Sequence, residues 1–65
     1  MNFNVDKMKL LMAENLLDPG DFCQLVGISY SAYQKIATGK SKPKLATIGK
    51  IARALNVKVK DLLED

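Results

Sequence analysis

Residues 19–38, Pro19-Gly20-Asp21-Phe22-Cys23-Gln24-Leu25-Val26-Gly27-Ile28-Ser29-Tyr30-Ser31-Ala32-Tyr33-Gln34-Lys35-Ile36-Ala37-Thr38, decide the fold. They read as two short helices joined at a tight corner. The run Asp18-Pro19-Gly20-Asp21 would also serve as an isolated β-turn, since each of its residue types favours one. A helix start accounts for more of it. Asp18 supplies an N-cap oxygen, Pro19 stands at the first helical position where its missing N–H costs nothing, and Asp21 adds negative charge to the first turn. Phe22, Leu25 and Val26 follow at helical spacing, and Gly27 ends the segment after barely two turns. Ser29 then caps a further helix running to about Ala37, with Tyr33 and Ile36 on its inner face. Tyr30, Ser31, Gln34 and Lys35 point outward, and Thr38-Gly39 stops it.

A corner of this kind needs a small residue where the second helix crosses the first, and Cys23 stands there. Four positions later it needs a residue that accepts a left-handed backbone, which Gly27 does. Phe22, Val26, Ile28, Tyr33 and Ile36 provide the apolar residues that must flank the turn and recur beyond it. This is helix-turn-helix spacing, though on its own the pattern fits many two-helix corners.

Working outward, Asn4 is an N-cap for a first helix, with Phe3 before it and Met8 inside it as a hydrophobic staple. Val5, Met8, Leu11 and Met12 share one face of that helix, Lys7 and Lys9 face outward, and Asn15 is the expected left-handed stop. On the other side, Lys40-Ser41-Lys42-Pro43-Lys44 is a basic loop. A fourth helix begins near Lys44 with Leu45, Ile48, Ile51, Ala52 and Leu55 inward, and Asn56 terminates it. Gly49 inside this helix costs up to about 1 kcal/mol relative to Ala, and reads as a point of close helix approach. Val57, Val59, Leu62 and Leu63 describe a short fifth helix with Asp61 in its first turn. Strand-like alternation is confined to Val57-Lys58-Val59-Lys60. The fold class expected is therefore all-α, five compact helices in one domain spanning 1–65.

With 65 residues and 48% hydrophobic content, the chain can build one core but not two. A chain of this length buries only about 60% of the surface exposed by its unfolded form, so its stability is modest. There is no histidine and a single cysteine, which excludes an internal disulfide and an ordinary structural zinc site. Cys23 reads as a small core residue rather than a redox sensor. No cofactor, small-molecule ligand or metal is implied, and nothing supports an enzyme: no histidine base, no Gly-rich phosphate loop, and carboxylates confined to helix starts and the tail. Asp6 and Glu14 interrupt the N-terminus where a signal peptide would be apolar, and Leu10-Leu11-Met12-Ala13 is far too short to span a membrane. A cytoplasmic protein without membrane contact is the expectation.

Net charge is +3, but its distribution is uneven. From Phe22 to Lys60 the chain holds seven lysines and one arginine and no Asp or Glu. Such a stretch suits a polyanion, or is an ordinary solvated lysine surface; composition leaves the two level.

Three blocks then carry a resemblance: Leu25-Val26-Gly27-Ile28-Ser29; Ile36-Ala37-Thr38-Gly39-Lys40 with Pro43 after it; and Ile51-Ala52-Arg53-Ala54-Leu55-Asn56-Val57, ending on Asp61-Leu62-Leu63. In this register, Met8 to Leu63 resembles the phage-repressor/Cro-type helix-turn-helix family, also called lambda-repressor-like or XRE-type. The resemblance implies a five-helix domain that binds double-stranded DNA as a transcriptional regulator, a repressor in the main, with the helix after Ser29 in the major groove. It places base reading on Tyr30, Ser31, Gln34 and Lys35. Gln34 suits adenine and Lys35 suits guanine, while Tyr30 is left between a phosphate bond and a thymine methyl. Backbone contacts fall to Ser29, Lys40, Ser41, Lys42 and Lys44. A pseudo-palindromic operator bound by a homodimer is the usual family arrangement.

The chain also departs from that family. Where members usually carry a phosphate-binding Gln at the start of the second helix, it has Pro19, flanked by Asp18 and Asp21. Two negative charges at a helix start disfavour a phosphate there. That departure keeps a second reading alive, a protein-interaction module of antirepressor kind on the same scaffold; Lys35 to Lys44 speak against it.

Overall fold

The computed structural model describes residues 2–64, so the acidic residue at 65 lies outside the described residues. Four α-helices follow one another: α1 (Val5–Glu14), α2 (Pro19–Val26), α3 (Tyr30–Ala37) and α4 (Leu45–Ala54). Each of the first three is started by its own side chain. Asn4 Oδ1 accepts from the Lys7 N–H at 2.9 Å, Asp18 Oδ1 from the Asp21 N–H at 2.8 Å, and Ser29 Oγ from the Ala32 N–H at 3.1 Å. Each bond satisfies a first-turn donor that has no partner inside the helix, worth about 1 kcal/mol.

The helix ends are equally specific. Gly27 closes α2 at φ 83°, ψ 33°, a left-handed conformation that sets the corner between α2 and α3. Asn56 does the same after α4 at φ 59°. After α1 the left-handed residue is Leu16 (φ 57°), not Asn15. Asn15 stays near φ −92° because its side-chain amide bonds back to the Leu11 carbonyl at 2.7 Å. The reversal moves one residue on, where the Leu16 and Leu17 N–H groups reach the Ala13 and Met12 carbonyls. Leu16 holds this backbone although it is not glycine, and is 90% exposed.

Met8, Leu11 and Met12 from α1, Phe22, Cys23 and Val26 from α2, Tyr33 and Ile36 from α3, and Ile48, Ile51, Ala52 and Leu55 from α4 form one core. Phe22, Met8 and Ile51 are fully covered, each contributing about 1.5–3 kcal/mol through lost contact with water. α2 packs on both α3 and α4, so the corner rests on the helix that follows the basic loop. Leu45, expected to point inward, is 64% exposed, and Leu25, which follows Phe22 at helical spacing, is 60% exposed. Both fit the helical period, but the neighbouring helices cover a narrower stripe than that period allows. Gly49 is not a point of close approach either, since a Cβ built there meets nothing within 4 Å.

The fifth helix is a single 3₁₀ turn, Val59–Leu62. Between extended Lys58 and extended Leu63 there is room for only four such residues, and short pieces tighten to 3₁₀ geometry. Asp61 accepts from the Lys58 N–H at 3.1 Å, and Leu62 is fully buried. The chain then forms a strand, so the fold is not purely helical. β1 (Asn2–Phe3) and β2 (Leu63–Glu64) pair antiparallel, Asn2 opposite Glu64 and Phe3 opposite Leu63. The Asn4 N–H continues the clasp to the Leu62 carbonyl at 2.7 Å. Among the described residues, no helix is long and apolar enough to cross a membrane.

Candidate nucleic-acid interface

α3 is a two-turn helix anchored on one side only. Tyr33 and Ile36 are buried, while Tyr30, Ser31, Gln34 and Lys35 are exposed together on the opposite side. Tyr33 fixes the roll of the helix: its ring meets Phe22 edge-on at 5.8 Å and 67°, and its hydroxyl lies 3.9 Å from Met12 Sδ. Cys23 sits at the crossing, its Sγ 3.9 Å from the Ser29 carbonyl. Burial pushes the Cys23 thiol above its ordinary value, so it stays protonated and inert. Tyr33 is likewise raised, first by burial and then by Cys23 and Tyr30 nearby.

Beside this face runs a groove of about 370 Å³. Ser29, Ser31 and Lys35 of the α3 side line it, together with Ser41, Lys42 and Lys44 of the loop. The Ser41 N–H bonds to the Lys35 carbonyl at 3.0 Å, which draws the basic loop back against the end of α3. Tyr30, Gln34 and Lys40 are not part of the groove wall. Tyr30 and Gln34 instead hydrogen-bond to each other, Gln34 Nε2 donating to Tyr30 Oη at 2.6 Å, and Lys40 is exposed in the loop.

Thr47 also lines the groove, a placement that no motif in the sequence marks. Its one local signal is its place in the first turn of α4. That start differs from the other three helices, because Lys44 makes no side-chain capping bond. The first-turn N–H groups of α4 therefore lack a side-chain acceptor, and they stand between Lys44 and Thr47 with the positive end of the helix dipole. At α2 the Asp21 N–H is already taken by the Asp18 side chain, and Pro19 has no N–H to offer. Chemically the groove offers hydroxyl donors, ammonium groups and uncapped amides, which together suit phosphate oxygens. The outer face of α3 offers an amide, a hydroxyl and an ammonium, which suit base edges.

The sequence model of the helix-turn-helix family matches residues 8–62 of this chain. No curated protein and no solved structure matches it significantly.

Proposed function

The chain belongs to the phage-repressor/Cro-type (XRE-type) helix-turn-helix family of DNA-binding regulators, and on that premise we propose that it reads a specific double-stranded DNA site as a transcriptional repressor. One observation carries the reading: the outward face of α3 lies next to a groove walled by Ser29, Ser41, Lys42 and Lys44. An α-helix with its side chains is about 10–12 Å across, which the major groove, about 12 Å wide, admits. With α3 in that groove, Ser31, Gln34 and Lys35 face base edges, Gln34 suiting adenine and Lys35 suiting guanine. Tyr30 lies on the same face. Ser29, Lys40, Ser41, Lys42 and Lys44 then meet the flanking backbone. Ser29 remains able to do so, since accepting from Ala32 leaves its own O–H free to donate.

The phosphate grip is shifted relative to the usual family arrangement. α2 begins with Pro19 between two acids, so the loop and the uncapped start of α4 take over from it. Two copies on a pseudo-palindrome would place their α3 helices one helical turn apart, about 34–36 Å.

Selection from random-sequence DNA, followed by salt titration on the recovered site, tests this. An enriched sequence and a linear fall of log affinity with log salt are expected. Fragments with no common sequence, bound with affinity that salt does not change, would leave the protein-interaction module. The acidic start of α2 and the exposed Leu16 and Leu25 favour that second reading.

A further inference from the structure

α3 carries a device on its outer face that phosphate binding does not require. Gln34 Nε2 donates to Tyr30 Oη at 2.6 Å, one helical turn back. Tyr30 is itself held, its ring 6.0 Å from that of Tyr33 with the planes tilted by 34°. Tyr33 is only 7% exposed and rests edge-on against fully buried Phe22. Phe22, Tyr33, Tyr30 and Gln34 therefore make one continuous contact from the core to the exposed face. We propose that Tyr30 is a positioning residue for sequence reading, its hydroxyl holding the Gln34 amide in the orientation that takes a base edge. This rests on α3 being the recognition helix, as argued above, and specifies how one of its readers is aimed.

The chemistry allows both roles at once. An amide nitrogen has two N–H groups, so donating one to Tyr30 leaves the other beside Oε1. That pair is the donor and acceptor that match N7 and N6 of adenine. A long side chain in water loses rotamer freedom when it binds, and a chain already held loses less. An isolated pair one turn apart on a helix is a weak restraint. Here the Tyr33 ring lies against one side of the Tyr30 ring, which is otherwise 55% exposed, and so restricts the freedom of one partner. The gain applies only to the base pair that Gln34 reads, so it appears as discrimination rather than as general affinity.

Tyr30→Phe keeps the ring against Tyr33 and deletes only the hydroxyl. On the selected site it should lower discrimination at one base pair by about 3- to 10-fold. The salt slope and thermal midpoint should match wild type. In a Gln34→Ala background the same substitution should change nothing at that base pair. In the protein without DNA, nitrogen relaxation should find the Gln34 side-chain amide ordered in wild type and mobile in Tyr30→Phe. Equal losses of discrimination in both backgrounds would overturn the proposal and make Tyr30 a DNA contact in its own right. An amide equally mobile in both proteins would overturn it too. An amide ordered in wild type, in a protein that prefers no sequence, would overturn the base reading and its Tyr30 component while leaving the bond intact, so the two failures are told apart.

Discussion

Gly49→Ala and Gly27→Ala make the same chemical change, and in neither position would the new methyl meet anything within 4 Å. Contacts therefore contribute nothing to the comparison, and backbone conformation decides both signs. Gly49 is in the interior of α4, where alanine should gain about 0.8–1.0 kcal/mol from helix propensity. Gly27 holds φ 83°, and there an L-residue costs about 1–2 kcal/mol. The stiffer unfolded chain of the alanine variant returns about 0.4–1 kcal/mol of that, for a net loss near 1 kcal/mol. In a domain of this size, each kcal/mol moves the midpoint by about 4–8 °C. Thermal unfolding followed by circular dichroism should thus place Gly49→Ala above wild type by that amount and Gly27→Ala below it, about 8–16 °C apart. Urea unfolding should give the same order without a change in slope, since neither variant alters the surface exposed. A lower midpoint for Gly49→Ala would refute the reasoning, because it would mean that α4 does approach a neighbour at that point. A neutral Gly27→Ala would mean that the corner between α2 and α3 does not depend on a left-handed residue.

Replacing Lys40 and Lys42 with Gln should weaken binding on every sequence alike and flatten the slope of log affinity against log salt by about 0.9 per lost phosphate contact; an unchanged slope would assign the grip elsewhere. Pro19→Gln combined with Asp21→Gln should tighten DNA binding in the same titration, with a small loss of midpoint as the first turn loses its favourable charge; Asp18 is kept so that the cap at Asp21 N–H survives. A double variant that binds DNA no better and loses a captured protein partner would favour the interaction module. For Cys23, burial raises the thiol above its ordinary value of 9.0, so folding favours the protonated form. Its contribution is fully present below that pH and is lost as pH rises through the higher folded value. Stability should therefore fall on the alkaline side of 9.0, less steeply in Cys23→Ala, and the thiol should react with a disulfide reagent only as the protein unfolds.

The sequence determined the parts of this protein that are settled within one helical turn. Asn4, Asp18 and Ser29 cap because their oxygens reach an N–H three residues on, whatever surrounds them. Gly27 and Asn56 reverse the chain because their backbones tolerate it, and Cys23 is small where α3 crosses α2. Tertiary structure decided what depends on neighbours remote in the chain. Periodicity marks Leu45 as inward and gives Leu25 helical spacing, but only the packed helices fix how wide a stripe is covered, and both lie outside it. Whether Gly49 met another helix was a question of distance, not of residue type. Asn15 had the side chain for a left-handed stop, yet that side chain found the Leu11 carbonyl first and Leu16 took the reversal. The strand pair joins opposite ends of the chain through two residues each, too short to leave a pattern in either. The placing of Thr47 against the loop, and of Tyr30 between Tyr33 and Gln34, likewise required the fold. Local chemistry is written along the chain, whereas register, coverage and convergence exist only once distant segments share a boundary with water.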